Sequence, residues 1–232
     1  MSTLRNMVDL EPGRRVAPPP LLTARRLSVS TPRGPVFGPI DISLEAGTVT
    51  AVVGIPDSGK STLLLALTGR MRGVSGELVV AGQDGVAHPR RVAKISAVAR
   101  IADLVELEPA LSIEDCITER GLAEAAPARS RLAEFLHASG LLGLEAPLGV
   151  SVGTLKPVDQ TRLAIALACI RPADLLVLDD LDHGANLGEQ EALWQGLLDL
   201  AETGVTIVAS TSERESIPPT VNTFEMEPRH GA

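Results

Sequence analysis

An α/β fold is what this sequence predicts, on three observations. Residues 48–53 form a short, largely apolar run, and 63–67 form a second that reads as helix. Between them lies Gly54-Ile55-Pro56-Asp57-Ser58-Gly59-Lys60-Ser61-Thr62, a G-x-x-x-x-G-K-S sequence with a strand before it and a helix after it. Far downstream, Leu175-Leu176-Val177-Leu178 ends in Asp179-Asp180, a buried strand carrying carboxylates at its C-terminal tip. That tip is where open parallel sheets hold ligands.

The glycine-rich stretch has a specific physical reading. Polyphosphate brings several negative charges that must be held without bulky side chains in the way. A loop with inward N–H groups, ending at the positive end of a helix dipole, does this. Gly54 and Gly59 permit the backbone path, Lys60 supplies a point charge, and Ser61 is placed as a magnesium ligand. Thr62 adds a hydroxyl for a further phosphate oxygen. The nine residues from Gly54 to Thr62 are the expected nucleotide contacts, and the fold is expected to be that of a P-loop NTPase.

Bulk properties narrow the class. A net charge of −8, with no long basic tract, argues against nucleic acid as a partner. No apolar run reaches the roughly 20 residues that cross a bilayer, and the N-terminus lacks a charged-then-apolar signal pattern. Cys116 and Cys169 have no metal-type spacing and read as free thiols of a reducing cytoplasm. The aromatic residues are Phe37, Phe135, Trp194 and Phe224 alone, which leaves little to stack on a base.

The elements follow in order. Residues 1–20, with Arg5, Arg14, Arg15 and Pro18-Pro19-Pro20, read as a disordered leader. Leu27 and Val29, then Ile40, Ile42 and Leu44, alternate as an antiparallel pair around a Pro/Gly-rich turn at 31–39. A short strand is expected over 76–82 and another over 94–98. Ser112 with Asp115 three residues on is a helix start, 130–140 carries helical periodicity, and a third helix runs over 156–170, stopped before Pro172. These helices are expected to form an inserted lobe over 103–170. Residues 189–200 read as an amphipathic helix, 204–210 as a buried strand, 221–227 as an edge strand and 228–232 as a loose tail.

This order of parts resembles the ATP-binding cassette family, the nucleotide-binding subunits of ABC transporters, over residues 21–227. The resemblance implies an ABC-type cassette with a RecA-like core, an antiparallel β subdomain and an inserted helical subdomain. Asp179 matches the family's second acidic motif, whose aspartate orients magnesium. Leu107-Glu108-Pro109-Ala110-Leu111-Ser112-Ile113-Glu114-Asp115 is similar to the entry into the helical lobe, and Arg162-Leu163-Ala164-Ile165-Ala166 to the helix after the signature. The guanine-reading N-K-x-D sequence is absent.

The chain also departs from that pattern. The signature Leu-Ser-Gly-Gly-Gln aligns with Leu155-Lys156-Pro157-Val158-Asp159, where Pro157 has no N–H to offer and Val158 adds branched bulk. Pro157 suits the first turn of a helix, so the helix should persist while its phosphate contact weakens. Lys156 reads as a solvated lysine, with a substitute phosphate cation as the rival reading. The catalytic glutamate aligns with Asp180, one methylene shorter, and a displacement of about 1 Å costs on the order of 100-fold in rate. The switch histidine aligns with Ser212, the lobe-entry glutamine with Arg100, and the adenine-stacking aromatic with Thr31, leaving Phe37 as the nearby candidate.

The resemblance therefore implies an ABC transporter subunit that binds ATP and Mg2+ and hydrolyses ATP slowly. Asp180 and Lys60 would be its catalytic residues, and Ser61 and Asp179 its metal ligands. It would pair with a second cassette and a separately encoded membrane permease, in the cytoplasm or at the inner face of the membrane through that partner. A non-catalytic ATP-binding regulatory or assembly module of the same fold is the alternative, and a soluble ATPase without a membrane partner is a third.

Overall fold

Strands rich in Val, Ile and Leu build two sheets in the computed structural model, which describes residues 19–32 and 34–227. The leader expected over 1–20 lies outside the described residues except for Pro19 and Pro20, and so does the tail over 228–232.

The first sheet is antiparallel, in the order β2-β1-β4-β5, from β1 (Leu22–Thr31), β2 (Gly34–Leu44), β4 (Val74–Val80) and β5 (Gln83–Asp84). The expected loop at 31–39 is corrected. Thr31 already pairs with Gly34, and Gly34, Pro35, Gly38 and Pro39 fall inside β2, where the register shifts. This strand is an edge, and an edge tolerates prolines because no neighbour needs their N–H.

The second sheet is parallel, in the order β6-β7-β8-β3-β9, from β3 (Val49–Val53), β6 (Ser96–Arg100), β7 (Leu175–Leu178), β8 (Thr206–Thr211) and β9 (Asn222–Glu225). The strand expected over 94–98 begins at Ser96. Residues 89–95 are instead a short helix, α2 (Pro89–Ile95), with Pro89 in its first turn and only Val92 buried. Few apolar residues and an initial proline hid it.

Side chains of the parallel strands alternate between two cores. Val49, Ala51, Val53, Leu176 and Leu178 face a core built with α3 (Ile113–Ala123), α4 (Ala128–Leu142), α5 (Pro157–Ala168) and α6 (Leu187–Ala201). Val52, Leu175 and Val177 face the other, shared with the antiparallel sheet and with α1 (Lys60–Leu67). Leu63, Leu64 and Leu67 of α1 are fully buried there. Each such side chain contributes about 1.5–3 kcal/mol, which anchors the helix that carries the phosphate loop.

Helix α3 starts on a reciprocal Ser112–Asp115 capping box, as its sequence predicts. An equivalent box at Asn186 and Glu189 starts α6. Helices α3 to α5 lie between β6 and β7 in the chain, so the insertion separates the phosphate loop from the acidic strand tip in sequence while the sheet brings them together.

Candidate functional site

The site forms where β3, β6, β7 and β8 end on the same side of the parallel sheet. The loop after β3 starts with Gly54, whose N–H donates to Thr211 O at 3.3 Å. A Cβ on Gly54 would stand 2.6 Å from Ser58 Oγ, and one on Gly59 would stand 3.0 Å from Val36 O. Gly59 also has φ +94°, in the left-handed region that favours glycine. Helix α1 begins immediately after it with no side-chain cap and no acidic residue in its first turn. Its leading N–H groups are thus left for an anion.

Lys60 is 7 % exposed, and its Nζ donates to Gly54 O at 2.9 Å and Ile55 O at 3.2 Å. The loop is folded around its own ammonium. Ser58 Oγ is buried with no partner among the described residues.

Asp179 follows β7 and is fully buried. Its Oδ1 accepts a short hydrogen bond from Ser210 Oγ, while Oδ2 has no donor among the described residues. Asp180 takes φ +46°, and its N–H donates to Ser210 Oγ at 2.9 Å. From the other side Arg100 Nη2 donates to Asp180 O at 2.6 Å and Asp179 O at 3.2 Å, while its Nη1 donates to Thr161 Oγ1 of α5 at 2.9 Å. Burial lowers the Arg100 guanidinium from its ordinary value, against the pull of Asp180 and Asp179. Burial and then the Asp179 carboxylate push the Asp180 carboxyl up, with Lys60 opposing.

A cleft of about 500 Å3 opens between these parts. Pro56, Asp57, Gly59, Lys60, Ser61 and Thr62 form one wall, and Ala102, Asp103, Asp180, Asp182, His183 and Ser212 form the rest. Of the residues named from the sequence, Asp179, Gly54, Ile55 and Ser58 are not part of this lining. Asp179 lies behind it, and Ile55 is 56 % exposed on the outer side of the loop. A larger hollow of about 1010 Å3 lies over the outer face of the antiparallel sheet, around Arg25, Asp41 and Glu77, away from all of these groups.

The departures from the family pattern have definite surroundings. Ser212 gives its hydroxyl to the Asp182 carboxylate, which also accepts Ser212 N–H at 3.1 Å. Pro157 opens α5, Val158 is buried in the core, and Asp159 pairs with Arg162 at 2.8 Å. Lys156 is exposed at the helix start. Phe37 is not a stacking platform, because it is 6 % exposed and its Cβ packs beneath Gly59.

Sequence reasoning missed Ser210, Asp182, Asp103 and His183. Ser210 lay hidden in a strand read only as buried. The other three belong to loops whose spacing carries no periodic signal.

Residues 37–182 match the family described as ABC transporter. The cytochrome c biogenesis ATP-binding export protein CcmA of Xanthomonas campestris pv. campestris is 34 % identical over 163 residues, covering 70 % of this chain and 72 % of the relative. The lipoprotein-releasing system ATP-binding protein LolD of Oleidesulfovibrio alaskensis is 27 % identical over 180 residues, covering 76 % and 78 %. Among solved structures, CbiO1 of Clostridium perfringens, part of the ABC transporter complex CbiONQ, superposes with a TM-score of 0.76 at 19 % identity over 90 % of this chain and 86 % of that one. With the family matched over more than half its length and the fold shared with such a cassette, the chain belongs to the ABC transporter family, as an ATP-binding subunit.

Proposed function

We propose that this subunit binds Mg-ATP in the cleft beside Lys60 and hydrolyses it slowly, to energise or regulate a separately encoded membrane partner. The observation that carries the reading is the acidic tip beside the phosphate loop. Asp179 is a fully buried carboxylate with one oxygen lacking a donor among the described residues, a state that costs free energy unless a cation or its water shell completes it.

The residues present fit such a group. Ser61 and Asp179 would hold the magnesium, which when bound neutralises phosphate charge. Residues from Gly54 to Thr62 hold the phosphates through backbone N–H groups, the Lys60 ammonium and the Thr62 hydroxyl. For this, Lys60 Nζ exchanges its two loop carbonyls for phosphate oxygens.

Slow turnover follows from the groups that would drive hydrolysis. Asp180 is the base that would take a proton from attacking water, yet its short side chain sits on a backbone pinned by Arg100 and Ser210. Its carboxyl is also pushed up, which reduces the share of the basic form at low pH. Ser212 already donates to Asp182, and Pro157 offers no N–H at the start of α5. Pairing with a second cassette would set Leu155 to Asp159 against that partner's nucleotide.

Purified protein titrated with ATP and magnesium should show a thermal shift that Lys60→Ala removes, with steady-state turnover well below that of a cassette carrying an intact signature. No shift with any nucleoside triphosphate would refute binding, and rapid turnover abolished by Lys60→Ala would refute impaired chemistry. The Ser212–Asp182 and Pro157 contacts favour one second reading, an ATP-binding regulatory or assembly module without turnover. It predicts the same thermal shift with hydrolysis at background whichever membrane partner is added.

A further inference from the structure

One basic side chain of the phosphate cleft has no role in the reading above. His183 lines it from the turn that follows β7, and is exposed. The turn is fastened along its length. His183 N–H donates to Asp180 O at 3.0 Å, and Leu181 N–H donates to Ser210 O at 2.8 Å. Gly184, at φ +66°, approaches α5 so closely that a Cβ there would stand 2.6 Å from Pro157 Cβ. The imidazole is therefore presented from a fixed backbone.

The charges around it are unbalanced. The phosphate loop and α1 bring Asp57 and Lys60 to the cleft, the loop after β6 brings Asp103, and the turn itself brings Asp180 and Asp182. The end of β8 brings Ser212, whose hydroxyl is given to Asp182. The start of α5, where Pro157 packs on Gly184 beside the exposed Lys156, does not line the cleft. Arg100 lies behind the turn, its guanidinium engaged with the carbonyls of Asp179 and Asp180. Among the described residues lining the cleft, one ammonium thus faces four carboxylates where a polyphosphate must enter. Besides Lys60, the His183 imidazole is the side chain of the described cleft lining that can carry a positive charge.

We propose that His183 is the second cation of the phosphate cleft, its imidazole taking a proton from solvent as the terminal phosphate of a nucleoside triphosphate enters and then donating to that phosphate. Preference for triphosphate over diphosphate is therefore stronger at low pH than at high pH. The inference rests on reading the cleft as a nucleotide site.

Its test is an equilibrium titration of the full chain with fluorescently labelled ATP and ADP, with magnesium, at about pH 6 and about pH 8.5. In the wild type the ratio of ATP to ADP affinity should fall about fivefold from the lower to the higher pH, the scale of one solvent-screened ion pair. His183→Gln should give a low ratio at both values, and His183→Lys, with a fixed charge, a high ratio at both. The nucleotide's own titration is common to all three proteins and cancels in the comparison. A purely structural role would change both affinities together and leave the pH dependence in place. His183→Gln retaining the wild-type pH dependence overturns the proposal. A wild type with no affinity for either nucleotide overturns the nucleotide reading itself, before any histidine variant is made.

Discussion

Replacing Asp179 with Asn should make the nucleotide-free protein more stable while removing its response to Mg-ATP. The wild-type carboxylate is fully buried, accepts one hydrogen bond from Ser210, and among the described residues leaves Oδ2 without a donor. A buried acceptor left unmet costs about 1–3 kcal/mol, and more when it is charged. The amide can keep its oxygen on Ser210 Oγ and place an NH2 where Oδ2 was, whose N–H groups, unmet in turn, cost less than an unmet charged oxygen. Against this, the nearby Arg100 guanidinium loses an opposite charge. A net gain of about 1–2 kcal/mol remains, and in a chain of this size each kcal/mol moves the melting temperature by about 2–4 °C. The expected rise is about 2–8 °C without nucleotide, read by calorimetry or dye binding near pH 7.5. In the wild type, ATP at about 100 times its dissociation constant adds about 2.7 kcal/mol, which corresponds to a shift of about 5–11 °C. Asp179→Asn should lose most of the magnesium-dependent part of that shift. A melting temperature below the wild type, in folded protein without nucleotide, would refute the reasoning. The carboxylate would then be stabilised internally, and its bare oxygen would not be a ligand position.

Three further outcomes are expected. Gly59→Ala places a Cβ at φ +94° and 3.0 Å from Val36 O, so it should cost about 1–3 kcal/mol by thermal melting and weaken Mg-ATP binding at least about tenfold. Glu124 receives Arg171 Nε at 3.2 Å and lies 4.0 Å from Arg120, with Arg70 close by. Glu124→Gln leaves three guanidiniums together and, discounted for partial exposure, should cost about 1–3 kcal/mol, a deficit that about 1 M salt narrows. Burial pushes the Cys169 thiol up to about 12. Alkylation of native protein at about pH 8 should therefore be at least about a hundredfold slower at Cys169 than in denaturant. Because the folded-state value lies above the unfolded one, the stability from keeping this thiol protonated is full below about pH 8.5 and is lost as pH rises toward about 12.

Much of the architecture was legible because its signals were local and strong. Residues 175–178 are apolar on both faces and could only be a buried strand, while Ser112 and Asp115 announce the start of α3. The hairpin was harder, since Gly34, Gly38 and Pro39 carry the usual signals of a loop yet sit in an edge strand whose irregular register absorbs them. The glycine-rich loop gave Lys60, Ser61 and Thr62 their places on the cleft from spacing alone. The opposite wall could not be read that way. Asp103, Asp182, His183 and Ser212 come from three separate connections, and only the parallel order of β6, β7, β8 and β3 makes them neighbours. Arg100 was visible as a departure from a pattern, but its hold on two carbonyls depends on how far β6 runs beside β7.

Three of the departures, Arg100, Pro157 and Ser212, are not independent losses, because each finds its partner around the same turn. Arg100 at the end of β6 holds the carbonyls of Asp179 and Asp180 and reaches Thr161 on α5. Pro157, at the start of that helix, packs against Gly184, and Ser212 beyond β8 binds Asp182. Residues 179–184 are thus fastened to three elements before any nucleotide arrives. A turn already ordered gives up little conformational entropy on binding, which favours affinity. The same contacts leave fewer interactions to be formed only during reaction, and those alone speed chemistry. The tight nucleotide binding and slow turnover proposed above would then be one consequence of one set of contacts, in which the strand tip, the helix start and the end of β8 act together.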